Sequence, residues 1–117
     1  MSKDYQAIAT EIFQAVGQLK KSAPETIDSF HQLVQQATKP GQLDAKTKEL
    51  IALALGVAAR CEGCLVAHTK KLIGLGVSRE EIIDMLGVCI AMGGGPSYMY
   101  AAETLKIFDA LSNTARS

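Results

Sequence analysis

Two cysteines three residues apart, Cys61 and Cys64, are followed four residues later by His68. On a helix the two cysteines lie one turn apart, close enough for a disulfide within that turn, and Cys64 and His68 share a face. At a helix start, unpaired amides and the partial positive charge of the helix end favour a thiolate. A thiolate attacks peroxides or disulfides, and a neighbouring thiol resolves the product. An imidazole within reach accepts the thiol proton near neutral pH. The plainer alternatives are two small core residues and a histidine with no chemical role.

Glu49 is the third element. The helix that carries it and the helix that carries the cysteines are predicted to form an antiparallel hairpin hinged near Arg60. At ~1.5 Å per residue, Glu49 stands about 17 Å up one arm and His68 about 10 Å up the other. The mismatch is about one helical turn, which a glutamate side chain and one water would bridge. Partial burial would suit Glu49 to proton transfer. A first-turn carboxylate that favours the helix dipole is the alternative, and both readings stay open at this point.

The elements that must position these groups are all helical. Ala, Leu, Glu, Lys and Gln dominate, and no run alternates with period two for long. A first helix is predicted over residues 4–20, with Ile8, Ile12, Phe13, Val16 and Leu19 on one face. Ser22 is the predicted cap of a second helix over 23–37, with Pro24 in its first turn and Glu25 completing a capping box. Ile27, Phe30, Leu33, Val34 and Ala37 form its apolar side, and Lys39-Pro40-Gly41 ends it. Asp44 caps a third helix over 45–60, which carries little polar surface after Glu49 and is expected to be central and buried. The fourth begins at residue 61 or 62 and runs to 75, with Gly76 just beyond its end. Ser78 and Glu81 form a capping box that opens a fifth helix to about residue 92. Gly93-Gly94-Gly95-Pro96 reads as a close helix junction, because no Lys-Ser/Thr follows it and no strand precedes it, as a phosphate cradle needs. A last helix is predicted over 96–112, with a frayed tail. The sum is one domain over 1–117, an all-α bundle of about six helices.

Bulk properties narrow the function classes. Twelve basic and twelve acidic residues give no net charge. Nothing advertises nucleic acid, and copies of the chain repel one another weakly. The polar start lacks a signal-peptide core, and the apolar run over 50–59 is too short to span a bilayer. A cytoplasmic protein with no membrane partner is expected. Three cysteines in a reducing compartment argue for reactive or metal-binding thiols over a disulfide framework. Cys89, among Leu86, Val88 and Ile90, is expected in the core, and His31 has no partner nearby in sequence. Met85, Met92, Tyr98, Met99 and Tyr100 are core by default, or else line an apolar entrance or a subunit interface.

Glu49, eleven residues, Cys61, two, Cys64, three, His68: this spacing resembles the signature of the AhpD-like alkylhydroperoxidase branch of the carboxymuconolactone decarboxylase superfamily. The string Cys64-Leu65-Val66-Ala67-His68 is similar to that branch's usual wording. The likeness is specific from Glu49 to Gly76, looser through 78–92, and covers a short, single-module version. It implies an all-helical fold assembled as trimers or hexamers. No cofactor and no metal are expected. The likeness implies peroxide attack by Cys64, which becomes a sulfenic acid, with Cys61 as proton donor and resolving thiol. His68 and Glu49 take the places of the proton relay, and a dithiol or lipoyl-type reductant restores the pair. The expected activity is a thiol-dependent peroxidase. Three alternatives are a disulfide reductase or redox module, a decarboxylase-type enzyme acting on a lactone acid, and a zinc-binding module using Cys61, Cys64, His68 and Glu49. The decarboxylase branch does not rely on a Cys-x-x-Cys pair, which counts against that alternative.

Overall fold

Residues 3–116 are described by the computed structural model, with side chains through Asn113; Met1, Ser2 and Ser117 lie outside the described residues. The described residues form six helices and no strand: α1 (Tyr5–Ser22), α2 (Pro24–Thr38), α3 (Ala45–Ala58), α4 (Glu62–Gly74), α5 (Arg79–Gly93) and α6 (Gly95–Arg116). No described helix is long and apolar enough to cross a membrane.

Side-chain caps fix most of the helix starts. Asp4 accepts the Ala7 amide at 3.1 Å, and Asp44 accepts the Thr47 amide at 2.7 Å. Hydrogen bonding from the Thr47 side chain, and then from its amide, holds the Asp44 carboxyl below its ordinary range. The Ser78 hydroxyl accepts from the Glu81 amide while the Glu81 carboxylate accepts from the Ser78 amide, the reciprocal box expected from the sequence. The box predicted at Ser22 does not form. The first helix runs two residues further than expected, so the Ser22 hydroxyl donates back to the Gln18 carbonyl at 3.0 Å. Ala23 is the hinge, and Pro24 alone starts α2. The last helix likewise continues to Arg116 where a frayed tail was expected.

The core lies around α4 and α6. Leu65, Val66 and Leu72 of α4 meet Ala101, Ile107, Phe108 and Leu111 of α6, with Ile82 and Leu86 of α5 closing one side. From α3, Leu53 and Val57 enter this core. The sequence expectation that α3 is buried all round is corrected here. Its stripe of Glu49, Leu53, Gly56 and Val57 is buried at helical spacing, but Ile51 and Leu55 face outward, Leu55 being 65% exposed. Apolar composition alone does not tell a helix with one covered face from one covered on both.

The start of α1 joins this core through Tyr5 and Ala9, packed against α4 and α6, whereas the rest of α1 and all of α2 form an arm. α2 packs only against α1 and α3 and buries no residue. Phe13, Val16 and Leu19 of the predicted apolar face of α1 are exposed, as are Phe30 and Leu33 of α2. The radius of gyration, 14.5 Å, exceeds the about 13 Å of a compact chain this long. Lys48 of α3 steadies the base of the arm by donating to the Ala37 and Lys39 carbonyls at the carboxyl end of α2.

The α3–α4 turn decides where the cysteines sit. The Arg60 amide donates to the Val57 carbonyl and the Cys61 amide to the Gly56 carbonyl, both at 3.1 Å. This is the paired closure of a Schellman turn, with Arg60 in the left-handed position at φ 56°. The turn after α4 repeats it: Gly76 (φ 79°) donates to the Ile73 carbonyl and Val77 to the Leu72 carbonyl. Gly76 takes that backbone without steric cost; Arg60 does not. Arg60→Gly is expected to stabilise the chain by about 0.5–1 kcal/mol, the relief of the left-handed strain less the entropy a new glycine loses on folding. The urea midpoint of the variant against the parent measures it; an unchanged or lower midpoint would show that Arg60 carries a compensating contact.

Candidate active site

Cys61 serves two helices at once. It is the last residue of the α3 closure and the N-cap of α4, where its sulfur accepts the Cys64 amide at 3.2 Å. Cys61 and Cys64 are joined by a disulfide, with their Cα atoms 5.2 Å apart. Both are half-buried, within reach of reagents yet held by the helix start. His68 follows one turn after Cys64, on the same face of α4.

Glu49 comes from the facing helix. It is 1% exposed, the one carboxylate in the described core. Its Oε2 lies 2.8 Å from His68 Nδ1, a direct hydrogen bond. No bridging water is needed, which corrects the sequence estimate. α3 ends at Ala58 and α4 begins at Glu62. Counted from those ends, the arms are about 14 Å and about 9 Å, and a glutamate side chain covers the difference. The bond to Nδ1 leaves Nε2 as the ring nitrogen free to exchange protons.

Two residues of the site went unremarked in the sequence. The first is Lys71, one turn beyond His68, whose ammonium stands 3.2 Å from Glu49 Oε1. The contact is an ion pair without the direction of a hydrogen bond, and Oε1 has no hydrogen-bond partner of its own. A lysine three residues after a histidine on a helix is the only signal for it. The second is Gly56. A Cβ there would stand 3.1 Å from the Cys64 Cβ, so α3 presses against the redox turn at a point where only hydrogen fits comfortably. A lone glycine inside an apolar helix is the signal that marks such an approach.

The remaining candidates take plain roles. Cys89 is half-buried, with its sulfur 3.5 Å from that of Met85, and burial pushes its thiol up in pKa. A thiol so placed stays protonated and packs, as expected, although it borders an apolar groove of about 230 Å³ instead of lying fully inside. His31 lies beside the Phe30 ring, on the arm. Any side chain at Gly93 would collide with buried Ser97, so the glycine run is indeed a close helix junction. Met92, 84% exposed, and Met99 and Tyr98 are surface residues, not core. Among the described residues, with Cys61 and Cys64 joined as a disulfide, no group of three or more His, Cys, Asp or Glu side chains is placed to hold a metal ion.

This arrangement has relatives. The sequence profile of the carboxymuconolactone decarboxylase family matches residues 24–106, which includes the whole site. The chain belongs to the carboxymuconolactone decarboxylase family. Within that family, a crystal structure of an apo protein from Legionella pneumophila is similar to it at a TM-score of 0.91 and 46% identity, over 95% of this chain and 99% of that one. A second structure, from Thermotoga maritima, has a TM-score of 0.81 and 25% identity over 91% and 93% of the two chains; its description suggests an involvement in antioxidative response. An uncharacterized protein of Cupriavidus necator is 38% identical over 112 residues, 96% of this chain and 99% of its own. An uncharacterized Haemophilus influenzae protein is 33% identical over 108 residues, 92% of this chain and 96% of its own.

Proposed function

We propose that the protein is a thiol-dependent peroxidase that reduces organic or hydrogen peroxides at Cys64. The single observation that carries the reading is the buried Glu49–His68 hydrogen bond one helical turn from the Cys61–Cys64 pair. A core carboxylate bonded to an imidazole serves no packing need, and it orients a base beside a thiol. The Thermotoga relative's suggested antioxidative role is consistent with it.

The reaction balances as follows. His68 takes the Cys64 proton, and the thiolate attacks the terminal peroxide oxygen. The O–O bond breaks, the alkoxide leaves and takes a proton to become an alcohol, and Cys64 becomes a sulfenic acid. The Cys61 sulfur then attacks the Cys64 sulfur and expels water, forming the disulfide. A dithiol, lipoyl-type or otherwise, attacks this disulfide and is itself oxidised. The Cys64 amide that points at the Cys61 sulfur makes Cys61 the better leaving thiolate, so the reductant attacks at Cys64.

The reading also includes assembly of identical chains into a trimer or hexamer. Its support is the unburied α2 with Phe30 58% exposed, the outward Leu55 and Met92, and a net charge of zero. Sedimentation of the purified protein tests it, and a monomer at micromolar concentration would remove it.

The test of activity is consumption of an organic hydroperoxide with a small dithiol as reductant. Peroxide and dithiol are expected to disappear in equal amounts over many turnovers. Dithiol-driven reduction of a disulfide substrate, with peroxide untouched, would replace this reading with disulfide exchange.

A further inference from the structure

The carboxylate of Glu49 is contacted on both oxygens. His68 holds Oε2, and Lys71 stands at Oε1. The Glu49 side chain is 2% exposed and that of Lys71 is 53% exposed, so a solvated cation caps a buried anion from the outside. A buried carboxylate without a matching charge is costly, and it lowers that cost by taking up a proton. His68 supplies a charge only while it is protonated. In the half of the cycle when the imidazole is neutral, Lys71 is the one formal cation at Glu49 among the described residues.

Several other charges on the surrounding helices are engaged elsewhere. Lys46 of α3 pairs with Glu81 of α5 at 2.8 Å. Glu103 of α6 and Glu62 of α4 both hold Lys3. Lys70, the neighbour of Lys71, lies over the Phe13 ring of α1 at 4.9 Å. Cys61 and Cys64 carry no charge while joined.

We propose that Lys71 is a positioning residue of this site: it holds the Glu49 carboxylate from the solvent side and weakens the grip of the Glu49–His68 pair on its proton. This rests on reading Glu49 and His68 as the proton relay. With Lys71 present, the carboxylate's field is shared between two cations, and the imidazole is released to accept a proton from Cys64. Removing that positive charge raises the affinity of the Glu49–His68 pair for its proton.

The test is the pH titration of His68 followed by NMR, in the oxidised protein and independent of any peroxide turnover. In Lys71→Met the His68 midpoint is expected to move up by about half a pH unit, a shift reduced by the exposure of Lys71. His31, on α2, should not move and serves as the internal reference. Lys71→Arg, which keeps the charge, should restore the parent midpoint, and Lys70→Met should leave it unchanged. An unmoved or lowered midpoint in Lys71→Met, or the same shift in Lys71→Arg, would overturn the proposal. Absence of peroxidase activity would remove the catalytic reading above and leave this electrostatic result standing.

Discussion

Cys64→Ser is expected to abolish peroxide turnover, with a loss of at least about 10³-fold. Serine keeps the shape of the side chain but not the chemistry, since its hydroxyl is a weak nucleophile at its ordinary pKa. Cys61→Ser should behave differently. Its Cys64 would still attack one equivalent of peroxide, gain one oxygen and then stall, because nothing remains to expel water from the sulfenic acid. The contrast matters because local geometry favours the two sulfurs in different ways. His68 is one turn from Cys64, whereas the helix-start amide points at Cys61. If the amide decided the nucleophile, Cys64→Ser would show the single-equivalent burst and Cys61→Ser would show none. Rapid mixing with one equivalent of hydroperoxide, followed by intact-mass measurement, separates the two assignments. The expected order follows from what each step needs. Deprotonation for attack on peroxide needs a base, and the later displacement needs a good attacking and leaving thiolate.

Much of this arrangement was legible before any coordinates. Helix starts written as Asp44 and Ser78…Glu81, and the stop at Gly76, depend on neighbours within one turn, so the sequence carries them whole. Ser22 reads just as well as a cap and fails, because a hydroxyl at a helix end chooses between capping the next helix and bonding back to its own. The Cys61–Cys64–His68 spacing is local for the same reason. Glu49 was visible only as a compatible distance, since its bond to His68 depends on the tightness of the α3–α4 turn. That turn is closed by Arg60 in a backbone state a residue of its kind rarely adopts, and no sequence pattern announces it. Burial was the least legible property. Val16, Leu19 and Leu55 have the spacing of core residues yet face outward, because a single chain offers nothing to cover them.

Glu49→Gln is expected to lower kcat/KM for peroxide by about 10²-fold or more while leaving the fold intact. The amide keeps the volume and one hydrogen bond to His68 Nδ1, but it carries no charge to stabilise the imidazolium that forms as Cys64 loses its proton. Glu49→Leu extends the argument to stability. Replacing a buried ionic group by a well-packed apolar side chain of similar size is often neutral or stabilising. Its former partners, His68 and Lys71, are 27% and 53% exposed and keep their own solvation. The leucine variant is therefore expected to melt at or above the parent temperature and to be at least as inactive as the glutamine variant. A structural carboxylate would produce the opposite pairing, with lost stability and activity that falls only as the protein unfolds. Thermal unfolding and initial rates measured on the same preparations distinguish the two. A leucine variant that unfolds well below the parent, with the glutamine variant fully active, would make Glu49 a structural buried carboxylate and detach it from the chemistry; a place in the first turn of α3 is already excluded, since the helix starts at Ala45. A stable, inactive leucine variant would mean that the chain gives up packing at this position to keep a charge beside its thiols.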